Sequence, residues 1–270
     1  MFTLELVLPS GKKHRIPELN NKDYLDIIKF CVNKDYRGLS EKFYTTFISK
    51  DLDIIDAFFT LLYARSVFVS DNLVFSGEDD ININISLDTI LNKLLDNDFV
   101  TERKISCGDI RITLGSPTGV YFDTIDDLYQ STIRDITINK TKIDFCLLDK
   151  DEQDLVLGKL PTEVFLEIQS HITKLSENLE ELTLIENNED FGIPELKVSI
   201  LGNGIIQFVS SIFNYDLQSF FQTLYNYNHF VSKGSGDFFT LTFSEVMLMI
   251  SMHAERIKKE NEEAKRQQQR

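Results

Sequence analysis

The sequence predicts an α+β fold, predominantly helical, in which helices pack with short antiparallel β-hairpins, and three observations predict it. Ile110, Ile112 and Leu114 alternate with Arg111 and Thr113 in the two-residue period of a half-buried strand. Gly108-Asp109, just before them, suits a type II′ turn because glycine accepts positive φ at the first central position, so Glu102 to Cys107 and Asp109 to Leu114 should pair. Elsewhere apolar residues recur at three- and four-residue spacing behind capping residues, and the chain after Pro117 reads mainly helical. This divides the sequence into an N-terminal lobe over 1–147, a mainly helical C-terminal lobe over 148–257 and a charged tail over 258–270.

Taken in order, Phe2, Leu4, Leu6 and Leu8 alternate as a strand, and Pro9-Ser10-Gly11 turns the chain into a return strand from Lys12 to Ile16. Asn20 or Asn21 can cap a helix with Tyr24, Ile27, Ile28 and Cys31 on one face. A second helix should follow Gly38, using Leu39, Phe43, Phe47 and Ile48. The third, Leu52 to Val67, is apolar on nearly all sides and should be the best buried helix of its half. Gly77 to Asp80 reads as an acidic loop, Ile81, Ile83 and Ile85 as a strand, and Ser86 as the cap of a helix carrying Leu87, Ile90, Leu91, Leu94 and Leu95.

Beyond the central hairpin, Asp123 or Thr124 starts a helix through Ile125, Leu128, Tyr129 and Ile133, and Asp149 caps another reaching Leu160. Pro161 opens a longer helix in which Phe165, Ile168, Ile172, Leu175, Leu179 and Leu182 follow the 3, 4, 3, 4, 3 spacing of a coiled-coil seam. Two readings fit it, a core-facing amphipathic helix and a helix-in-groove docking surface for a partner. Glu186 to Asp190 reads as an acidic break closed by Pro194. Leu196, Val198 and Ile200 alternate into Gly202-Asn203-Gly204, with Ile206 and Phe208 alternating out of it, which predicts a third hairpin. A ring-rich helix follows with Phe220, Phe221, Tyr225, Tyr227 and Phe230, then a flexible loop from Ser232 to Gly236. The last helix opens on a capping box, Thr242 to Glu245, and presents Val246, Met249, Ile250, His253 and Ile257 on one face.

Composition narrows the function classes. Arg256 to Arg270 holds six basic and three acidic residues, a local +3, so the net charge of −15 leaves −18 on the residues before it. A body that acidic repels phosphate, which argues against a nucleic-acid binder. No apolar run approaches a membrane span, and Met1 to Pro9 lacks the basic start of a signal peptide. Cys31, Cys107 and Cys146 are widely separated, as suits reduced thiols in a cytosol.

Chemistry requires particular groups at particular spacings, and the chain has no paired-cysteine knuckle, HExxH, nucleophile elbow or Walker loop. His14, His171, His229 and His253 are isolated in sequence, and read as surface or half-buried side chains in place of ligands. Asp149 to Asp154 is rich in carboxylates but lacks the glycine and distal glutamate of a calcium loop, so it reads as acids favoured by a helix N-terminus. Gly115-Ser116-Pro117-Thr118-Gly119 reads as an ordinary loop in preference to a phosphate cradle. No catalytic residue, cofactor or metal is expected. The residues expected to bind a partner are Phe165, Ile168, Ile172, Leu175 and Leu179 on one helix, with Val246, Met249, Ile250 and Ile257 on another. An enzyme with a site built from distant residues, such as His171 with central-loop acids, is the alternative, as is a host-takeover interaction protein.

The order of several motifs resembles the baseplate hub subunits and hub-assembly proteins of T-even-type contractile-tailed phages. The likeness lies in Leu8-Pro9-Ser10-Gly11-Lys12, the run Pro17 to Leu25, Gly108-Asp109-Ile110-Arg111-Ile112, Leu160-Pro161-Thr162-Glu163 and Phe243-Ser244-Glu245 with its charged tail. It covers nearly the full length. It implies a non-enzymatic phage protein of the infected bacterial cytoplasm, found either in the virion baseplate or as an assembly chaperone. Its implied partners are other hub proteins or the tape-measure protein in a heteromeric complex, without nucleic acid or membrane.

Overall fold

The computed structural model describes residues 3–76, 82–97, 99, 102–184, 197–214, 217–231 and 236–268. It has the mixed architecture expected, mostly helical with antiparallel hairpins. Strand β1 (Thr3–Val7) pairs with β2 (Lys13–Pro17) across a turn in which Gly11 takes a φ of +79°. Asn20 caps α1 (Asn21–Asn33) by accepting the Asp23 amide. Helix α2 (Tyr36–Thr46) begins ahead of Gly38, because Asp35 caps it through the Gly38 amide.

Helix α3 (Ile54–Phe68) is buried almost all round, as its sequence requires. Strands β3 (Asn72–Ser76) and β4 (Asn82–Ser86) form a second hairpin, and α4 (Leu87–Asp96) follows at once. The β3 partner was not expected. The acidic loop from Gly77 and the position of Ile81 lie outside the described residues. Ser86 precedes α4 but does not cap it by side chain; its hydroxyl donates instead to Asp71 at 2.8 Å.

The central hairpin forms as read, with β5 (Arg103–Cys107) against β6 (Ile110–Leu114) and Gly108 at a φ of +59°. It is half of a larger sheet. Helix α5 (Ile125–Thr132) stops where Ile133 becomes the first residue of β7 (Ile133–Ile138), which pairs with β6 and with β8 (Thr141–Asp144) to complete a four-stranded antiparallel meander. Ile112, Ile133 and Ile136 are buried side chains of this sheet.

Helix α6 (Lys150–Leu157) carries the Asp149 capping box, and α7 (Thr162–Thr183) follows with Pro161 at its N-cap. Ile168, Ile172, Leu175 and Leu179 of α7 are fully or almost fully buried, and Phe165 and Leu182 pack partly against the same core. The seam therefore faces the chain's own interior, the first of its two readings, and offers no free groove-binding surface.

The third hairpin is corrected. Leu196 lies outside the described residues, Val198 and Ile200 sit in a loop and pair in no strand, Ile200 already having a helical backbone, and Gly204 opens α8 (Gly204–Phe213). Gly202 and Asn203 do turn the chain, at φ of +63° and +59°, but they turn it into a helix. Ile205, Ile206, Val209, Ile212 and Phe213 then form a buried helical stripe.

Helix α9 (Leu217–Asn226) continues into a π-helical turn at Tyr227–Val231, and α10 (Phe243–Gln268) ends the described chain. The loop from Ser232 to Ser235 lies outside the described residues. The Thr242 hydroxyl accepts the Glu245 amide at 3.2 Å while Glu245 accepts the Thr242 amide at 2.9 Å, completing the expected capping box. Beyond Ile257 the helix continues in solvent through Arg266.

One hydrophobic cluster runs from Leu6 to Val246, shared by the two expected lobes. Helix α8 lies against α1, α2 and α3, with Phe213 5.5 Å from Phe43 and Phe208 6.0 Å from Phe58 between ring centroids. At the far end, Asn21 donates to the Phe238 carbonyl at 2.9 Å, and Tyr24, Phe220 and Phe243 form a ring cluster that fixes α1 to α9 and α10. Phe213→Ala should therefore destabilise the whole chain by about 3–5 kcal/mol. Urea unfolding followed by circular dichroism should show one transition, and the 1–147 fragment alone should not give it.

Candidate functional site

Two regions could carry function, a polar cleft beside the N-terminus of α3 and an apolar surface on α9 and α10. The cleft, about 900 Å³ and open to solvent, is lined by groups that include Ser10, Asp53, Asp56, Ser116, Arg134 and Cys146. Its carboxylates are already engaged. Asp53 accepts the amides of Ile55 and Asp56, both at 3.0 Å, as the cap of α3. Asp56 is fully buried and accepts the Ser10 amide at 3.0 Å and the Ser10 hydroxyl at 2.5 Å, which anchors the first hairpin to α3. Burial, reinforced by the neighbouring Asp56 charge, holds the Asp53 carboxyl above its ordinary range.

Arg134 donates to the Ser131 and Ser116 carbonyls. The loop Gly115 to Gly119 is pinned too: its Gly115, Thr118 and Gly119 amides donate to the carbonyls of Thr132, Ser131 and Leu52. Those amides cannot at the same time cradle a phosphate, so the loop is structural. Among the described residues that line the cleft, the Ser116 hydroxyl is the one buried with no partner.

The four histidines do not gather at one point: His229 and His253 each meet the Phe230 ring, while His14 and His171 are held elsewhere. The His14 Nε2–H donates to the Phe47 carbonyl at 2.7 Å, His171 Nε2–H to the Gly115 carbonyl at 3.1 Å, and His229 Nδ1–H to the Tyr225 carbonyl at 3.0 Å. His171 thus ties α7 to the end of β6. Burial lowers its pKa, outweighing the Gly115 hydrogen bond, and the charges of Arg103, Arg134 and Lys174 lower it further. Among the described residues, no group of three or more His, Cys, Asp or Glu side chains is placed to hold a metal ion.

The apolar region is differently built. Phe220 and Tyr227 point inward and are fully buried, whereas Phe221, Tyr225 and Phe230 stand in solvent. Tyr225, His229, Phe230 and His253 form a ladder of rings with successive centroid distances of 3.9, 6.4 and 6.2 Å, crossing from α9 to α10. On α10, Leu248 is 61% exposed and Met252, one turn on, 62% exposed, and Met247 is exposed as well.

The α10 residues expected to dock are placed otherwise. Val246 is fully buried, and Met249 and Ile250 pack half-buried on the core. Ile257, at 40% exposure, is the member of that set left open. Apolar side chains occupy both sides of α10, and the regular stripe that sequence reveals is the one consumed by folding. Met247, Leu248 and Met252 interrupt that stripe, and their presence opposite it is the signal that could have located the exposed surface. No helix among the described residues is long and apolar enough to cross a membrane.

No protein-family model, curated protein or solved structure matches the chain.

Two solution measurements check this geometry. All three thiols are free, but Cys31 is buried and its pKa is pushed up to about 11 by desolvation, while Cys146 is exposed. Cys146 should react rapidly with a thiol reagent at pH 8, and Cys31 only after unfolding. Folded His171 binds its proton less tightly than the unfolded side chain, so its contribution to stability is lost as pH falls below about 6.5. His171→Gln, which keeps a donor for Gly115 without titrating, should flatten the stability profile between about pH 7 and pH 5.

Proposed function

We propose that the chain is a non-enzymatic phage tail protein, a baseplate hub subunit or a hub and tape-measure assembly chaperone, that docks α9 and α10 onto another tail protein. The observation that carries this reading is the set of large apolar side chains left exposed on these two helices and the turn after α9, Phe221, Tyr225 and Phe230 with Met247, Leu248 and Met252. Rings supply rigid anchors that lose little entropy on contact, and methionine adapts to an irregular partner surface. An exposed set of this kind on a soluble chain marks an interaction surface. The succession of sequence motifs supplies the identity of the partners, which are other hub proteins or the tape-measure protein. The acidic body also favours a partner of opposite charge, which would speed encounter and select orientation.

Co-expression with the hub and tape-measure proteins of the same phage should yield a co-purifying complex. Leu248→Asp combined with Met252→Asp should abolish that complex while leaving the circular dichroism spectrum unchanged, because both side chains are already in water. Elution of the unaltered chain alone, or capture of host proteins in its place, would overturn the reading. Mass spectrometry separates the two roles: a hub subunit is present in purified virions, and a chaperone is confined to infected-cell lysate.

A further inference from the structure

We propose that the chain also associates with copies of itself, head to tail, by laying the basic end of α10 across an acidic face formed by α5 and α6 of the next copy. The acidic face and the tail residues Lys258 and Lys259 are distinct from the ring and methionine side chains described above, so charge reversal at them tests this contact apart from the hetero-docking.

The receiving face begins with two capping boxes. Thr124 with Asp127 and Asp149 with Glu152 start α5 and α6, and Lys150 joins the two helix starts through a 2.8 Å ion pair with Asp127. Gln130 donates to Asp154, which keeps the helices side by side. Asp123 to Asp127 and Asp149 to Asp154 together hold seven carboxylates and one amine, a local charge of −6.

Acids at helix starts have an ordinary capping role, but the apolar side chains between them do not. Leu147 is 81% exposed, Leu155 is 62% exposed and Ile125 stands half in water. Leu155 follows Asp151 by one helical turn, so apolar and anionic groups share one side of α6. A surface of this composition fits a helix that carries cations around an aliphatic anchor.

The same chain supplies such a helix. Arg256, Lys258 and Lys259 flank Ile257 in sequence, Arg256 also pairs with Glu260 at 3.2 Å, and Arg256 to Arg266 carries five basic and three acidic residues, all exposed. The segment extends past Met249 and Ile250, the last side chains of α10 that pack on the core among the described residues. At 1.5 Å per residue, Arg256 to Gln268 reaches about 20 Å, enough to cross two neighbouring helices. Such an isolated helix end has no apolar face of its own to stabilise it, and docking would supply one. Because the donor and acceptor surfaces differ, each copy retains a free tail and a free face after one contact, and the association continues as an open chain or closes as a ring.

One helix against one face lies at the small end of interface sizes, so the contact should be of micromolar strength. Copies with a net charge of −15 also repel at long range, and salt weakens that repulsion along with the local attraction. Charge reversal is therefore the discriminating test.

Sedimentation of the full chain over the micromolar range should show concentration-dependent association. A face variant, Asp126→Lys with Asp151→Lys, and a tail variant, Lys258→Glu with Lys259→Glu, should each associate at least about tenfold more weakly, a loss of roughly 1.4 kcal/mol. An equimolar mixture of the two restores opposite charge at every junction and should regain association. These four residues are exposed and outside the capping-box pairs, and circular dichroism verifies that both variants fold. A wild-type chain that stays monomeric, association that ignores both reversals, or a mixture that fails to recover would each overturn the proposal. So would a monomeric chain whose acidic face binds a free lysine-rich amphipathic peptide, since the occupant would then be another protein.

Discussion

The constraint on which the structure depends is the burial of α3 on almost every side. Isolated helices are marginal in water, and a helix apolar all round has no solvated face to rest on. The chain must therefore surround it. Helix α4 packs along α3, α8 lies against it through Phe58 and Phe208, and the central loop reaches its start, where the Ile54 amide donates to the Pro117 carbonyl at 2.7 Å. Burying α3 also buries Asp56, which leaves a carboxylate that must be compensated. Ser10 supplies both hydrogen bonds, and through them the first hairpin is fixed in place. At the other end, the Arg65 guanidinium donates to the Ile212 carbonyl at 2.7 Å, in the last turn of α8, where a helix favours a cation.

Enclosing α3 determines what remains outside. Once α8 closes the core, α9 can contribute only its inner side, with Phe220 and Tyr227, and its outer rings stay in water. Helix α10 meets the body through Phe243 and Val246, packs Met249 and Ile250 partly on the core, and then continues into solvent. The cluster of Tyr24, Phe220, Phe238 and Phe243 makes this junction firm, so the exposed side chains beyond it are held on rigid elements. Rigid presentation lowers the entropy lost on docking, which is where preorganised surfaces gain affinity. This supports the docking reading without requiring any group to react.

Much of the fold is legible because local signals agree with tertiary packing. Asn20, Thr124, Asp149 and Thr242 mark helix starts by side-chain hydrogen bonds that a sequence can forecast, and Gly108 marks a turn only glycine makes easily. The failures have physical reasons. Val198, Ile200, Ile206 and Phe208 share a two-residue period, but Ile205, Ile206, Val209, Ile212 and Phe213 also satisfy the helical one, and burial against α1 to α3 selects the helix. Strands β7 and β8 are joined at Asn139-Lys140, where lysine adopts a φ of +68°, a conformation its identity does not advertise. Of the candidate site, the ring content of α9 is visible in the sequence but is not assigned to docking there, and the outward side of α10 could not be distinguished until the inward side was known.

Groups already engaged in the fold and groups left in water are distributed differently between the cleft and helices α9 and α10. A catalytic group must be free to exchange a proton or accept a bond, and it acts from a position other groups hold. In the cleft, Asp53, Asp56 and Arg134 are themselves the holding groups, and His171 holds α7 to the sheet. Releasing any of them would break a fold contact, at a cost of about 1–3 kcal/mol for the group left unsatisfied. The apolar side chains of α9 and α10 are in the opposite position. They keep apolar area in water, each square ångström of which favours burial by about 25 cal/mol, and covering them disturbs nothing inside the chain. A partner surface can therefore be gained without loss to the fold.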